Sequence, residues 1–249
     1  MIAIKRLVSC GFACLLLTAV DVRADLITNG GFESGFAGWN HFNQLGGSGD
    51  WFIQSGTTSP AVGLPVPAPP GGMHAAMTDS TAPGSHALLQ AFIIPLGSSS
   101  VVLSFDMFRG NRDGDYAAPN SLDFNVFPNQ QARVDILTAG AGAFDLGGAV
   151  VDNVFKTTPG STRIDPSYQH YSFDVTQAVI AGQTYQLRFA ETDNQAVFEL
   201  GVDNVSITTT SAAVPEPSAV FLPATCLALA VLNGLRRNRR KSQLGRTQQ

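Results

Sequence analysis

A hydroxyl beside an imidazole occurs at Ser85-His86, but adjacent residues of a strand point to opposite faces, so the two cannot form a catalytic dyad. The four histidines (His41, His74, His86 and His170) are dispersed, and no Gly-x-Ser-x-Gly elbow is present. Residues 25–213 hold 17 carboxylates. Some pair will fall at glycosidase separation by chance, and no motif selects one. Asn111-Arg112-Asp113-Gly114-Asp115 has the composition of a calcium loop. Counted from Asn111, however, position six is Tyr116 where Gly is needed, and position twelve is Leu122 where Glu is needed. A polar turn between two strands accounts for it, since Asn, Asp and Gly are turn formers. Sugar recognition needs aromatic faces with planar polar groups beside them. Trp39, Trp51 and Tyr116 are the candidates, with aromatic core packing the other use open to both tryptophans. The residue types describe a non-catalytic chain with carbohydrate binding open to it.

The elements that must position these residues are strands. No window of the body sustains a 3.6-residue period with caps. Short runs rich in Val, Ile, Phe and Tyr alternate between clusters of Gly, Pro, Asn and Asp. Strands are expected near 51–54, 74–78, 86–94, 101–109, 122–127, 132–137, 150–157, 169–175, 183–191, 196–200 and 202–208. Eleven short strands in one body mean a sandwich or a barrel. Five prolines between Pro60 and Pro70 make 56–72 a long loop.

Charge divides the chain of 249 residues into body and ends. The net charge is -4, but residues 25–213 carry 17 acids against 6 bases, and nine of the fifteen Lys and Arg lie outside them. An acidic body argues against a nucleic-acid partner, which needs Lys and Arg to displace counterions from phosphate. Residues 1–24 run from Lys5-Arg6 through an apolar stretch to Val22-Arg23-Ala24. That is the pattern of a signal peptide cut by signal peptidase after Ala24. Residues 218–235 are mostly apolar and marginally long enough to cross a bilayer. The Arg-rich cluster at 236–241 keeps its own end in the cytoplasm and leaves the body outside; 242–249 is a polar tail. Cys10 and Cys14 lie in the signal and Cys226 in the span, so the body has no disulfide and no thiolate metal site.

Pro215-Glu216-Pro217, the single apolar span and the Arg cluster stand in that order over residues 214–241. Together they resemble the PEP-CTERM sorting signal of exopolysaccharide-producing Gram-negative bacteria, a tail also called the ice-binding protein C-terminal domain. The resemblance implies inner-membrane anchoring, then cutting near the motif by an exosortase and delivery to the cell surface or extracellular matrix. A plain C-terminal anchor is the alternative.

The body has a second resemblance. Leu26-Ile27-Thr28-Asn29-Gly30-Gly31-Phe32-Glu33 with Gly38-Trp39, then Gly72 to Met77, then Gly201-Val202-Asp203-Asn204-Val205-Ser206-Ile207, resemble landmarks of the jelly-roll carbohydrate-binding modules of the galactose-binding-domain-like fold. This implies an all-β, antiparallel jelly-roll β-sandwich over 25–213 whose first and last strands lie side by side. It also implies a structural Ca2+ held by Glu33 and Asp203, with Asp79 a further ligand. Two carboxylates and backbone carbonyls from distant parts of the chain are a suitable hard-oxygen set. The expectation is an exported protein whose body associates with extracellular polysaccharide. A purely structural coat or matrix protein is the alternative, and a secreted glycoside-active enzyme a third.

Overall fold

The computed structural model describes residues 23–211. Most of the expected signal and all of the sorting tail, with Pro215, Glu216, Pro217 and the span, lie outside the described residues. Within them no helix is long and apolar enough to cross a membrane.

Among the described residues, eleven strands form two antiparallel sheets: β1 Arg23–Asp25, β2 Asn40–Asn43, β3 Asp50–Gln54, β4 Ala75–Asp79, β5 Gly84–Ile93, β6 Ser98–Asn111, β7 Gln131–Thr138, β8 Val150–Lys156, β9 Gln169–Asp174, β10 Thr184–Asp193 and β11 Phe198–Ser211. The first sheet has the order β3-β4-β11-β6-β9, with β1 also paired to β11; the second has the order β2-β5-β10-β7-β8. This is the expected β-sandwich.

Alternation explains the core. On β10, Tyr185, Leu187 and Phe189 face inward, opposite Val134 and Ile136 of β7 and Leu88 and Phe92 of β5. Phe105 of β6 meets Phe189 edge-on across the sandwich with ring centres 5.2 Å apart, a favoured aromatic geometry. The outer faces are covered as well. Loop 139–149 packs Ala141, Phe144 and Leu146 on the second sheet beside Leu122, and Val66 and Tyr168 cover Met77 and Phe108 of the first.

Three expectations need correction. Leu122–Phe127 is a turn: Asp123 Oδ1 accepts the Asn125 N–H, and the Asn129 amide donates to the Ser121 and Asp123 carbonyls. Such local bonds compete with strand pairing. The two strands expected at 196–200 and 202–208 are one, because Gly201 packs under Tyr168 without breaking the ladder. Leu26–Phe32 is irregular, and the polar β2 went unread.

The irregular segment nevertheless lies along β11, as the resemblance implied. β1 pairs with Thr208–Thr210, Leu26 N–H donates to the Ile207 carbonyl, and Val205 N–H donates to the Gly30 carbonyl. Ala24, the expected cleavage point, sits opposite Thr209. Asn29 ties the turn by donating to the Gly35 and Ala37 carbonyls. Gly30 is dictated by closeness, since a Cβ there would stand 1.9 Å from the Val205 oxygen.

Gly30→Ala is therefore expected to destabilise the protein by about 3 kcal/mol, the upper end for overpacking, and to lower Tm by roughly 5–10 °C. Gly35→Ala, at φ +63 but facing open space, should cost only about 1 kcal/mol. Thermal melts of both variants check this, and an equal or reversed ranking would contradict the close approach.

Candidate functional site

The three aromatic residues expected as sugar platforms are core residues. Trp39, Trp51 and Tyr116 are 5%, 2% and 2% exposed. Trp39 packs on Phe32 at 5.3 Å and donates its indole N–H to the Asn29 carbonyl. Tyr116 lies 5.6 Å from Phe198 and donates to the Arg163 carbonyl. Buried rings cannot stack on a ligand. The Asn111–Asp115 segment is a polar turn as expected, with Asp113 N–H donating to Asn111 Oδ1. Ser85 and His86 diverge: Ser85 Oγ bonds Thr192 on the outer face, and His86 Nδ1 meets Asn43 Oδ1 at 2.8 Å.

Glu33 and Asp203 do converge, on the segment 71–74. Glu33 Oε1 accepts the N–H groups of Met73 and His74, and its Oε2 lies 3.2 Å from His74 Nδ1. Asp203 accepts from Gly71 N–H and Asn204 N–H. A β-bulge after Asp203, with Asn204 at φ 49, lets the Asn204 amide reach Asp106. The backbone donors of His74 and Met73 hold the Glu33 carboxyl below its usual range. Burial pushes Asp203 up to about 6, with Asp106 and Glu33 adding repulsion and the Asn204 and Gly71 N–H groups opposing it. Asp79 is not part of this group. It sits at the far end of β4 opposite Asp50, and one oxygen accepts from Ala61 and Val62.

A different place has the shape of a binding site. A cleft of about 220 Å³ opens at one end of the sandwich, lined by Thr81, Ala82, Pro83 and residues 193–197. It lies between the β4–β5 and β10–β11 connections. Buried Gln130 holds the 194–196 wall from behind, accepting from Asn194 and Gln195 N–H and donating to the Ala196 carbonyl. Asn194 in turn donates to the Phe124 and Val126 carbonyls and accepts from Asn129 N–H. The neighbouring loop is thereby tied to the cleft wall, and that loop carries Phe127, 74% exposed. Burial raises the Asp193 carboxyl at the cleft to about 7 against the pull of Ser80 and Gly84. Burial also lowers the nearby His86 to about 4, against Asp50 and the Ser48 carbonyl, so His86 is neutral at pH 7. Sequence reasoning missed Phe127 because it was assigned to a strand.

No known protein family matches the chain, and no curated protein matches it in sequence. Among solved structures, a carbohydrate-binding module in complex with beta-1,4-galactotriose is 10% identical, with a TM-score of 0.45 over 74% of this chain and 97% of that one. The K3 cleaved adhesin domain of Lys-gingipain from Porphyromonas gingivalis is 14% identical, with a TM-score of 0.46 over 78% and 100%. A Stig cyclase from Fischerella sp. is 15% identical, at 0.46 over 77% and 100%. The likenesses are loose, and the sandwich assignment stands on the strand pairing.

Asp203 sets a pH response. Its folded pKa of about 6 lies above the ordinary carboxylate value near 4. Between those values the folded chain binds the proton more tightly than the unfolded one, so this residue's contribution to stability rises as pH falls from 8 to 5. In chelator, wild-type Tm is expected to gain roughly 5 °C over Asp203→Asn across that range. Parallel pH curves would contradict the assigned burial.

Proposed function

We propose that this chain is an exported, surface-sorted, non-catalytic β-sandwich that binds extracellular polysaccharide at the cleft beside Phe127. The observation that carries the reading is the exposed Phe127 ring on a loop that Asn194 ties to a cleft of mixed polar and apolar lining. An aromatic face takes the apolar side of a pyranose, and the exposed Thr81 and Gln195 side chains in the lining are suited to its hydroxyls. The body's acidity, 17 carboxylates to 6 bases, disfavours polyanionic glycans and favours neutral ones. The cysteine-free body, the signal-like start and the Pro-Glu-Pro tail support delivery through signal peptidase and exosortase. A purely structural matrix role is the second reading, and it requires no specific ligand.

Calcium belongs to the same proposal, as a structural ion. Glu33 and Asp203 would hold it with backbone carbonyls and without Asp79; two carboxylates that repel each other are a chemical match to such a cation. Calcium should then raise wild-type Tm and leave Asp203→Asn unmoved; a wild-type Tm indifferent to calcium removes the ion.

On a panel of neutral and acidic polysaccharides, the full chain is expected to retain a neutral glycan. Phe127→Ala should weaken binding by about tenfold or more, as loss of a stacking ring does at 1–3 kcal/mol. Binding of no glycan favours the matrix reading. For sorting, intact-mass measurement of surface-released protein should show a start near Asp25 and loss of residues after Pro217. Released protein that retains Arg236 to Gln249 would contradict the processing.

A further inference from the structure

The alternation that builds the core continues past its apolar part. On β10 the inward series Tyr185, Leu187, Phe189 runs on to Glu191 and Asp193, and on β5 the series Phe92, Gln90, Leu88 ends at His86, directly opposite Glu191. These three side chains are at most 2% exposed, and one ligand atom from each lies within 4.8 Å of the other two. Two buried carboxylates therefore face each other with no Lys or Arg among the groups acting on either one. Unpaired buried charge of this kind is costly.

Several atoms here lack partners. Glu191 Oε1 and His86 Nε2 are buried without a hydrogen bond. The Asn43 amide lowers the Asp50 carboxyl by donating to it, which leaves Asn43 Oδ1 to accept from His86 Nδ1–H at 2.8 Å. His86 Nε2 then carries the lone pair, unbonded although the Ser48 carbonyl lies near it. An imidazole whose Nδ1–H donates to an oxygen and whose Nε2 has no hydrogen bond has the arrangement of a metal-ligating histidine. Asp193 is oriented by Ser80 Oγ and Gly84 N–H, each at 2.9 Å. Gly84 also keeps space beside the imidazole, since a Cβ there would lie 2.7 Å from Nε2. Asp193 lines the cleft, which gives a hydrated ion a route inward.

We propose that His86, Glu191 and Asp193 form a binding site for one first-row divalent cation, of which Zn2+ is the best match. One nitrogen and two carboxylate oxygens, with a fourth position for water, suit a small borderline cation; calcium asks for six to eight oxygens. The competing explanation is a proton held by Glu191. One proton shared between Glu191 Oε1 and His86 Nε2 would satisfy both unpartnered atoms, but it leaves the Asp193 carboxylate buried with no cation beside it. The site is separate from Glu33 and Asp203 and does not depend on the glycan reading.

The test uses the full chain without a polyhistidine tag, stripped by chelator and dialysed against Zn2+, Mn2+ or Ca2+ in turn. Wild type is expected to retain one Zn2+ per chain. His86→Ala and Glu191→Gln should weaken retention by at least about tenfold, while His170→Ala on the surface leaves it unchanged. Because those variants place a new group in the interior, 15N NMR of wild-type histidine supplies a second readout: stoichiometric Zn2+ should move the His86 Nε2 resonance. Preference for Ca2+, absence of stoichiometric binding, retention untouched by Glu191→Gln, or an unmoved His86 signal each overturns the proposal.

Discussion

The two-residue period of β10 is the constraint from which most of this molecule follows. Because every second side chain of a strand must share a face, the inward phase that delivers Leu187 and Phe189 to the aromatic core also delivers Glu191 and Asp193 to the interior. Ten consecutive pairs with β5 and eight with β7 lock that phase. A one-residue slip would expose the core and bury the outer face instead. The sandwich is thus apolar along most of its length and ionisable at one end, where the connections also open into the cleft.

The first sheet is closed around its central strand. β11 pairs along its length with β6, while its opposite edge receives β4, the irregular Leu26–Gly30 segment and β1 in succession. Leaving that edge bare would present unpaired backbone groups. The beginning of the described chain covers it, and the Glu33 carboxylate fastens the segment 73–74 against the same turn. This explains why the Asn-Gly-Gly-Phe-Glu stretch carries small and turn-forming residues where a strand was expected. Its task is to fit under Val205 and hold Phe32 inside.

The strands with an apolar phase were legible in the sequence. β6 and β10 declare themselves through Val101, Leu103, Phe105 and through Tyr185, Leu187, Phe189, whereas β2, Asn-His-Phe-Asn, has no phase to read. Leu122–Phe127 looks like a strand because Leu122, Phe124 and Val126 alternate, yet the side chains of Asp123, Asn129 and Asn194 bind its backbone first. Site chemistry was harder to see. Composition cannot distinguish a Trp that packs from one that stacks, and burial decided that Trp39 and Trp51 pack. The convergence of Glu33 with Asp203 was visible only through a resemblance. The His86, Glu191 and Asp193 group did leave a signal: acids on the apolar phase of a strand, opposite a histidine on the apolar phase of its neighbour. Reading it required knowing that the two strands pair.

Diffraction at and below the zinc absorption edge, from crystals of the full chain grown with stoichiometric Zn2+, tests most directly whether the buried end of this sandwich is held by a cation. The expected result is one anomalous peak bonded to His86 Nε2 and to the Glu191 and Asp193 carboxylates, at about 2.0–2.2 Å. A map with no peak there, and Glu191 hydrogen-bonded through its own proton, would contradict the account.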